Sequence, residues 1–209
     1  MIQAKICGLS EPETVAVAVE RGATWVGFVT FPKSPRHVTP ERAGELARPV
    51  RSRVKTVSVL VDPDDMAVQR VLMALKPDFI QLHGAERPER AAAIRSRGVG
   101  VIKAIPVSAG QDAIAAQAYR GAADMILFDA KPPPGAALPG GNGVGYDPAI
   151  LRGVDPGLPW MLSGGLTPAN VAAAVTASGA GAVDVSSGVE RAPGLKDAQR
   201  IADFLAALA

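Results

Sequence analysis

The sequence predicts an α/β fold, a single (β/α)8 TIM barrel spanning residues 1–209 as one domain. Three observations carry this reading. Strand-like and helix-like runs alternate along the whole chain. The strand-like runs are nearly continuous apolar stretches, as parallel strands buried on both faces require. Eight such runs with seven or eight crossovers favour a closed barrel over an open doubly wound sheet. At roughly 26 residues per strand–helix unit, the barrel would be compact.

The strand candidates are residues 2–6, 24–29, 54–61, 78–82, 99–105, 125–128, 160–162 and 182–185. Amphipathic or Ala-rich segments at 11–21, 40–49, 64–75, 86–97, 110–119, 168–178 and 195–208 read as the helices between them. Thr39-Pro40 and Thr167-Pro168 each offer an N-cap followed by proline at the first helical position. Asp64 and Asp65 place acids where a helix dipole favours them. Gly22, Gly98 and Gly179 lie just past helix ends, as C-caps do. The sixth connection differs. Residues 131–145 are rich in Pro and Gly and read as a long loop, with a short helix near 147–152.

Composition narrows the function classes. Hydrophobic residues make up 48% of the chain and aromatics only 4%, so Ala, Val, Leu and Ile build the core. The net charge is +2 and the basic residues are scattered, which is not a nucleic-acid footprint. No apolar stretch approaches the ~18 residues of a membrane span. The first residues, Met1 to Lys5, lack the pattern of a signal peptide. The single cysteine cannot form an internal disulfide, which fits a reducing cytoplasm.

Chemistry-bearing residues fall at the C-terminal ends of the strand candidates, where such barrels place their active sites. Cys7 ends the first run, in Lys5-Ile6-Cys7-Gly8. It reads either as a reactive thiol or as a small buried hydrophobe. Arg36 follows the second run, directly after a loop stiffened by prolines at 32 and 35. Its guanidinium could present a fork to a carboxylate, or simply lie in solvent. His83 ends the fourth run and Asp129 the sixth. The histidine could be structural, catalytic or a support for the site, and the aspartate a turn residue or a mouth-facing acid. Ser163-Gly164-Gly165 follows the seventh run, and Asp184 through Ser186, Ser187 and Gly188 follow the eighth. Glycines let backbone N–H groups approach an anion, and barrels commonly bind phosphate between these two loops. Neither loop carries Lys or Arg, so the expected cradle is made of main-chain amides.

Taken together, these motifs resemble the phosphoribosylanthranilate isomerase family of tryptophan biosynthesis. The resemblance runs through Lys5-Ile6-Cys7-Gly8, Phe28 to Arg36, Gln81-Leu82-His83-Gly84, Phe128-Asp129 and Ser163-Gly164-Gly165-Leu166 with Pro168 and Asn170-Val171. It continues through Val183 to Glu190 and then Gly194 with Lys196-Asp197. It implies a cofactor-free, metal-free enzyme acting on a small phosphorylated substrate, as a monomer or homodimer. It also implies Cys7 as general base, Asp129 as general acid and Arg36 as the contact for the anthranilate carboxylate. His83 and Asp184 match further polar pocket residues. One stretch departs from the family pattern. Asn142 stands where threonine is usual, and Pro148 where tryptophan is usual. Backbone contacts from this loop are expected to persist.

The implied reaction is an Amadori rearrangement. It needs a protonated acid and a deprotonated thiol together, against reference pKa values of ~3.9 for Asp and ~8.5 for Cys. A local feature must therefore favour the thiolate: a helix N-terminus, a loop amide or the cationic intermediate. A metal-dependent sugar-phosphate epimerase would need a His and Asp ligand set, and the chain has only His37 and His83. Two further readings compete. The histidine-pathway isomerase performs the same rearrangement, but its family carries aspartate where Cys7 stands and repeats its phosphate motif in both halves. A phosphate-ligand sensor on the same barrel would bind without turnover, and would need neither Cys7 nor Asp129.

Overall fold

Short, nearly continuous apolar runs suit parallel strands covered on both faces, with helices outside and side chains within. The computed structural model has this arrangement, and describes residues 2–209 except 134, 136–139, 142 and 144. Eight parallel strands close in chain order into a barrel. They are β1 (Gln3–Cys7), β2 (Trp25–Val29), β3 (Lys55–Leu60), β4 (Phe79–Leu82), β5 (Gly100–Val107), β6 (Met125–Ala130), β7 (Trp160–Leu162) and β8 (Ala182–Val185). The barrel closes where β8 pairs with β1, with Lys5 beside Asp184 and Ile6 beside Val185.

Alternation along each strand sorts the residues into two shells. Ile6, Val26, Phe28, Ile126, Phe128 and Val183 join the apolar layer shared with the outer helices. Val57, Ile102, Leu127 and Met161 form a separate apolar cluster inside the barrel, with Trp25 and Ala104. Above that plug the inward positions turn polar. Lys5, Gln81, Asp129, Ser163 and Asp184 are all buried. The barrel interior is thus a greasy floor under a wet, charged ceiling.

The outer helices are α1 (Pro12–Glu20), α2 (Pro40–Ala47), α3 (Asp65–Ala74), α4 (Pro88–Arg95), α5 (Val171–Ser178) and α6 (Ala198–Ala206). Thr39 caps α2 through Arg42 N, and Asp64 caps α3 through Ala67 N, each filling an orphan donor of the first turn. Three expectations need correction. Gly110–Tyr119 is a 3-10 helix, not an α-helix. Its Asp112 carboxylate gathers the N–H groups of Ser108 and Ala109 at its start. Thr167 is not the cap of α5. Asn170 is, and its Oδ1 accepts from Thr167 N instead, so the helix starts at Val171. The last segment is not helical from 195. Glu190–Ala192 (β9) and Leu195–Lys196 (β10) form a small antiparallel ribbon, and α6 starts at Ala198 behind Asp197. The short helix near 147–152 is a 3-10 turn at Pro148–Leu151.

Gly44 marks the closest approach of α2 to α3. A Cβ there would stand 2.5 Å from the carbonyl oxygen of Ala74. On a free helix Gly→Ala would stabilise by about 1 kcal/mol. Here Gly44→Ala is expected to destabilise instead, by about 1–3 kcal/mol as overpacked sites do. Thermal or urea unfolding followed by circular dichroism checks the sign.

Candidate active site

Cys7, Arg36, His83, Asp129, Gly164, Gly165, Asp184, Ser186 and Ser187 all line one cleft at the C-terminal end of the barrel, about 840 Å³ including its open mouth. Gly188 does not line it. A Cβ there would collide with the Leu166 carbonyl oxygen, so Gly188 lets the loop after β8 press against the loop after β7. Gly164 (φ +95°) and Gly165 (φ +67°) hold backbone conformations that favour glycine. A side chain on Gly164 would stand 2.8 Å from Ala130 N.

On one wall His83 links two neighbours. Gln81 Nε2 lies 2.8 Å from His83 Nδ1, and His83 Nε2 lies 3.1 Å from Asp129 Oδ2. With the amide nitrogen donating to Nδ1, the ring proton sits on Nε2 and points at Asp129. Oδ1 of Asp129 accepts from Ala130 N at 2.9 Å. Gln81 Oε1 is buried with no partner among the described residues. The turn after His83 is pinned from outside the barrel. Glu86 accepts from Gly84 N at 3.0 Å and from Lys103 Nζ at 2.9 Å, while Lys103 donates to Gly84 O at 2.7 Å. Tyr146 donates to Phe128 O at 3.3 Å. Burial, then the nearby Asp129 carboxylate, holds its phenol well above the usual range, so it stays neutral.

On the opposite wall Cys7 ends β1, one of the two strands of the barrel seam. Lys5, two residues before it on β1, is fully buried and donates to Asp184 Oδ1 at 2.7 Å. Ser163 Oγ donates to Asp184 Oδ2 at 3.2 Å. Burial pushes the Cys7 thiol up, the Lys5 charge pulls it down, and the Asp184 carboxylate pushes it up again.

At the mouth, Arg36 is already engaged. Its Nε donates to Glu190 Oε1 at 2.7 Å and its Nη2 to Glu190 Oε2 at 2.9 Å, so the fork's inner edge holds a carboxylate of the protein. Nη2 also donates to Gly141 O at 3.2 Å. Nη1 has no hydrogen-bond partner among the described residues. Lys196 completes the cluster, donating to Glu190 Oε1 at 2.6 Å, to Ser186 O at 2.9 Å and to Ser186 Oγ at 3.2 Å. A cation therefore stands directly behind a loop whose own sequence has none. Gly140 and Gly141 lie over the cleft. A Cβ on Gly140 would stand 2.7 Å from Asp129 Oδ2, and one on Gly141 2.7 Å from Arg36 Nη1.

Lys5, Gln81, Glu190 and Lys196 had no assigned role in the sequence, and Ser163 was read only as part of the phosphate loop. Lys5 and Gln81 carried one signal, a polar residue at an inward position of an otherwise apolar strand. Among the described residues, no group of three or more His, Cys, Asp or Glu is placed to hold a metal ion.

The sequence model of the family described as N-(5'phosphoribosyl)anthranilate (PRA) isomerase matches residues 4–207. This chain belongs to that family. The N-(5'-phosphoribosyl)anthranilate isomerase of Paramagnetospirillum magneticum is 54% identical over 207 residues, covering 99% of this chain and 96% of the relative. The one from Rhodospirillum centenum is 53% identical, covering 100% and 98%. The phosphoribosyl anthranilate isomerase of Thermotoga maritima superposes with a TM-score of 0.88 at 36% identity, covering 98% of this chain and 97% of that one. A further isomerase structure, in complex with reduced 1-(o-carboxyphenylamino)-1-deoxyribulose 5-phosphate, gives a TM-score of 0.84 at 36% identity, covering 98% and 97%. Of the departures from the family pattern, Pro148 heads the 3-10 turn behind Asp147, whose side chain accepts from Ala149 N. Asn142 lies outside the described residues.

Burial disfavours the Glu190 carboxylate, but Arg36 and Lys196 outweigh it and hold its pKa below the ordinary 4.5. A lowered carboxyl pKa stabilises the fold fully above 4.5 and loses that contribution as pH falls through the lowered value. Stability is therefore expected to fall on acidification through that window, and to fall less in Glu190→Gln. Urea unfolding across a pH series measures both.

Proposed function

We propose that the protein catalyses the Amadori rearrangement of N-(5'-phosphoribosyl)anthranilate to 1-(2-carboxyphenylamino)-1-deoxyribulose 5-phosphate, the isomerase step of tryptophan biosynthesis. The observation that carries this reading is the cleft itself. A thiol and a carboxyl line it together, with two Gly-Ser loops and the Arg36 guanidinium along the same mouth. The relatives named above bear the same activity in their names.

In this reading Asp129 donates its proton to the furanose ring oxygen. The bond from C1 to that oxygen breaks, and the nitrogen lone pair forms the C1=N iminium. Cys7, as the thiolate, removes the proton from C2. Those electrons form the C1=C2 bond and neutralise the nitrogen. The resulting enaminol gains a proton at C1 and loses its O2 proton, which gives the ketone. The iminium supplies the electron sink, so the chain's own acid and base suffice.

His83 supports the acid. Its Nε2 can donate to the carboxylate, or accept from the carboxylic acid once the ring proton moves to Nδ1, where the Gln81 amide can turn its oxygen to meet it. Backbone N–H groups of Gly164, Gly165, Ser186 and Ser187 cradle the phosphate, with Gly188 setting the spacing of the loops and Lys196 adding positive charge from behind. Arg36 meets the anthranilate carboxylate through its outer edge, held in place by Glu190. Asp184, fixed by Lys5 and Ser163, faces the sugar. We place this activity in the cytoplasm, in one domain of the whole chain acting as a monomer or homodimer.

Loss of the substrate's fluorescence on incubation with purified protein tests the activity directly. Cys7→Ala and Asp129→Asn are each expected to lower kcat by about 10²–10⁴, the usual contribution of a general acid or base, with folding intact. Near-normal turnover in either would remove that residue from its role. Arg36→Ala is expected to raise KM more than it lowers kcat. A collapse of kcat at constant KM would assign Arg36 another job.

A further inference from the structure

We propose that Lys5 is the positioning residue that supplies the counter-charge for a Cys7 thiolate, and that Asp184 limits how much of that charge Cys7 receives. The inference rests on the reading of Cys7 as the base.

The geometry comes from one strand and one missing side chain. Lys5 and Cys7 are two apart on β1, so both point into the barrel. Both lean over Gly27 on the neighbouring strand. A Cβ at that glycine would lie 3.0 Å from Cys7 Sγ and 3.2 Å from Lys5 Cε. Sulfur and Cε are therefore no more than about 6 Å apart, with the ammonium nitrogen one bond further on. Any side chain at position 27 would wedge them apart.

The hydrogen-bond inventory favours a second anion here. An ammonium has three N–H donors. Among the described residues only one oxygen, Asp184 Oδ1, accepts from Lys5. Lys5 is fully buried, so its remaining donors have no bulk water to turn to. A buried donor without an acceptor is costly, and a thiolate supplies one.

The other charged groups around Cys7 make their hydrogen bonds elsewhere, and of these Lys196 adds a smaller pull that lowers the thiol. Lys196, on β10, comes within 3.3 Å of the point where a Cβ on Gly8 would stand, but it already donates to Glu190 and Ser186. Arg36, in the loop after β2, also borders Gly8 and is held by Glu190. Across the cleft, His83 and Asp129 bond each other. Asp184, on β8, shares Lys5 with Cys7. Burial by itself lowers the Lys5 pKa, but Asp184 and Cys7 together push it up to about 12, so Lys5 stays a cation throughout the working range.

The two partners of Lys5 pull the thiol in opposite directions, and that is the test. Cys7 is the only cysteine, so the ultraviolet absorbance of its thiolate, after subtracting the Cys7→Ala signal, titrates one group. Asp184→Asn is expected to lower the Cys7 pKa by about one unit, a roughly tenfold rise in thiolate below that pKa. Lys5→Met is expected to raise it by a similar amount. A Cys7 pKa that is unchanged or higher in Asp184→Asn overturns the proposal, even if Lys5→Met does not fold. A purely structural role for Lys5 would alter stability and leave the thiol titration of the folded protein where it was, which also overturns it. Turnover by Cys7→Ala separates this inference from the reading beneath it. An active Cys7→Ala protein removes Cys7 as base, while a titration that ignores Asp184 removes Lys5 as its counter-charge.

Discussion

The ion pair between Lys5 and Asp184 is the constraint on which the upper half of the barrel is built. Lys5 is wholly buried, Asp184 shows only a small part to the cleft, and their separation of 2.7 Å leaves no room for a solvent molecule between them. Taking either charge into an apolar interior alone would cost several kcal/mol, so the two must arrive together. The register of the seam guarantees that they do, since β1 pairs with β8 with these two residues opposite each other. Ser163 then fixes the second oxygen of Asp184 from the adjoining strand. Three strands are thereby locked at one height, and Cys7 stands directly above them.

The remaining polar groups divide into two independent networks with different jobs. Gln81, His83 and Asp129 form a neutral-to-anionic chain that can carry a proton in either position. Arg36, Glu190, Lys196 and Ser186 form a net positive cluster at the rim. The first suits a group that must gain and lose a proton. The second suits anionic substrate ends, and it is drawn from a loop after β2 and a ribbon after β8. The rim network is ordered by contacts within the protein, with Arg36 Nη1 left without a partner among the described residues, so the cavity walls are set before a ligand enters.

Much of the barrel was legible in the chain because its parallel strands are buried on both faces and so read as unbroken apolar runs. Helix starts were legible where a cap and proline coincide, as at Thr39-Pro40, and misleading at Thr167-Pro168, where Asn170 captures the Thr167 N–H and delays the helix. The 3-10 geometry of residues 110–119 could not be seen, since its apolar spacing resembles that of an α-helix. The ribbon of β9 and β10 was hidden for a different reason. It is too short for a periodicity, and it exists to bring Glu190 and Lys196 to Arg36. Of the site, the residues at strand ends were visible from position alone. Their partners were not, because Arg36 and Glu190 lie 154 positions apart and no local pattern connects them. Lys5 and Gln81 were visible as letters and silent as functions until the barrel showed which way they face.

The seam pair carries a last consequence for how such a chain matures. Its two members are 179 positions apart, so the first strand must wait for nearly every other strand before its lysine finds a counter-ion. A half-barrel fragment holding β1 to β4 would keep that ammonium either in water or in an interior with nothing to balance it. Splitting or duplicating this scaffold into half-barrels therefore requires either a new anion for Lys5 or an apolar residue in its place, whatever else is done to cover the exposed sheet edges.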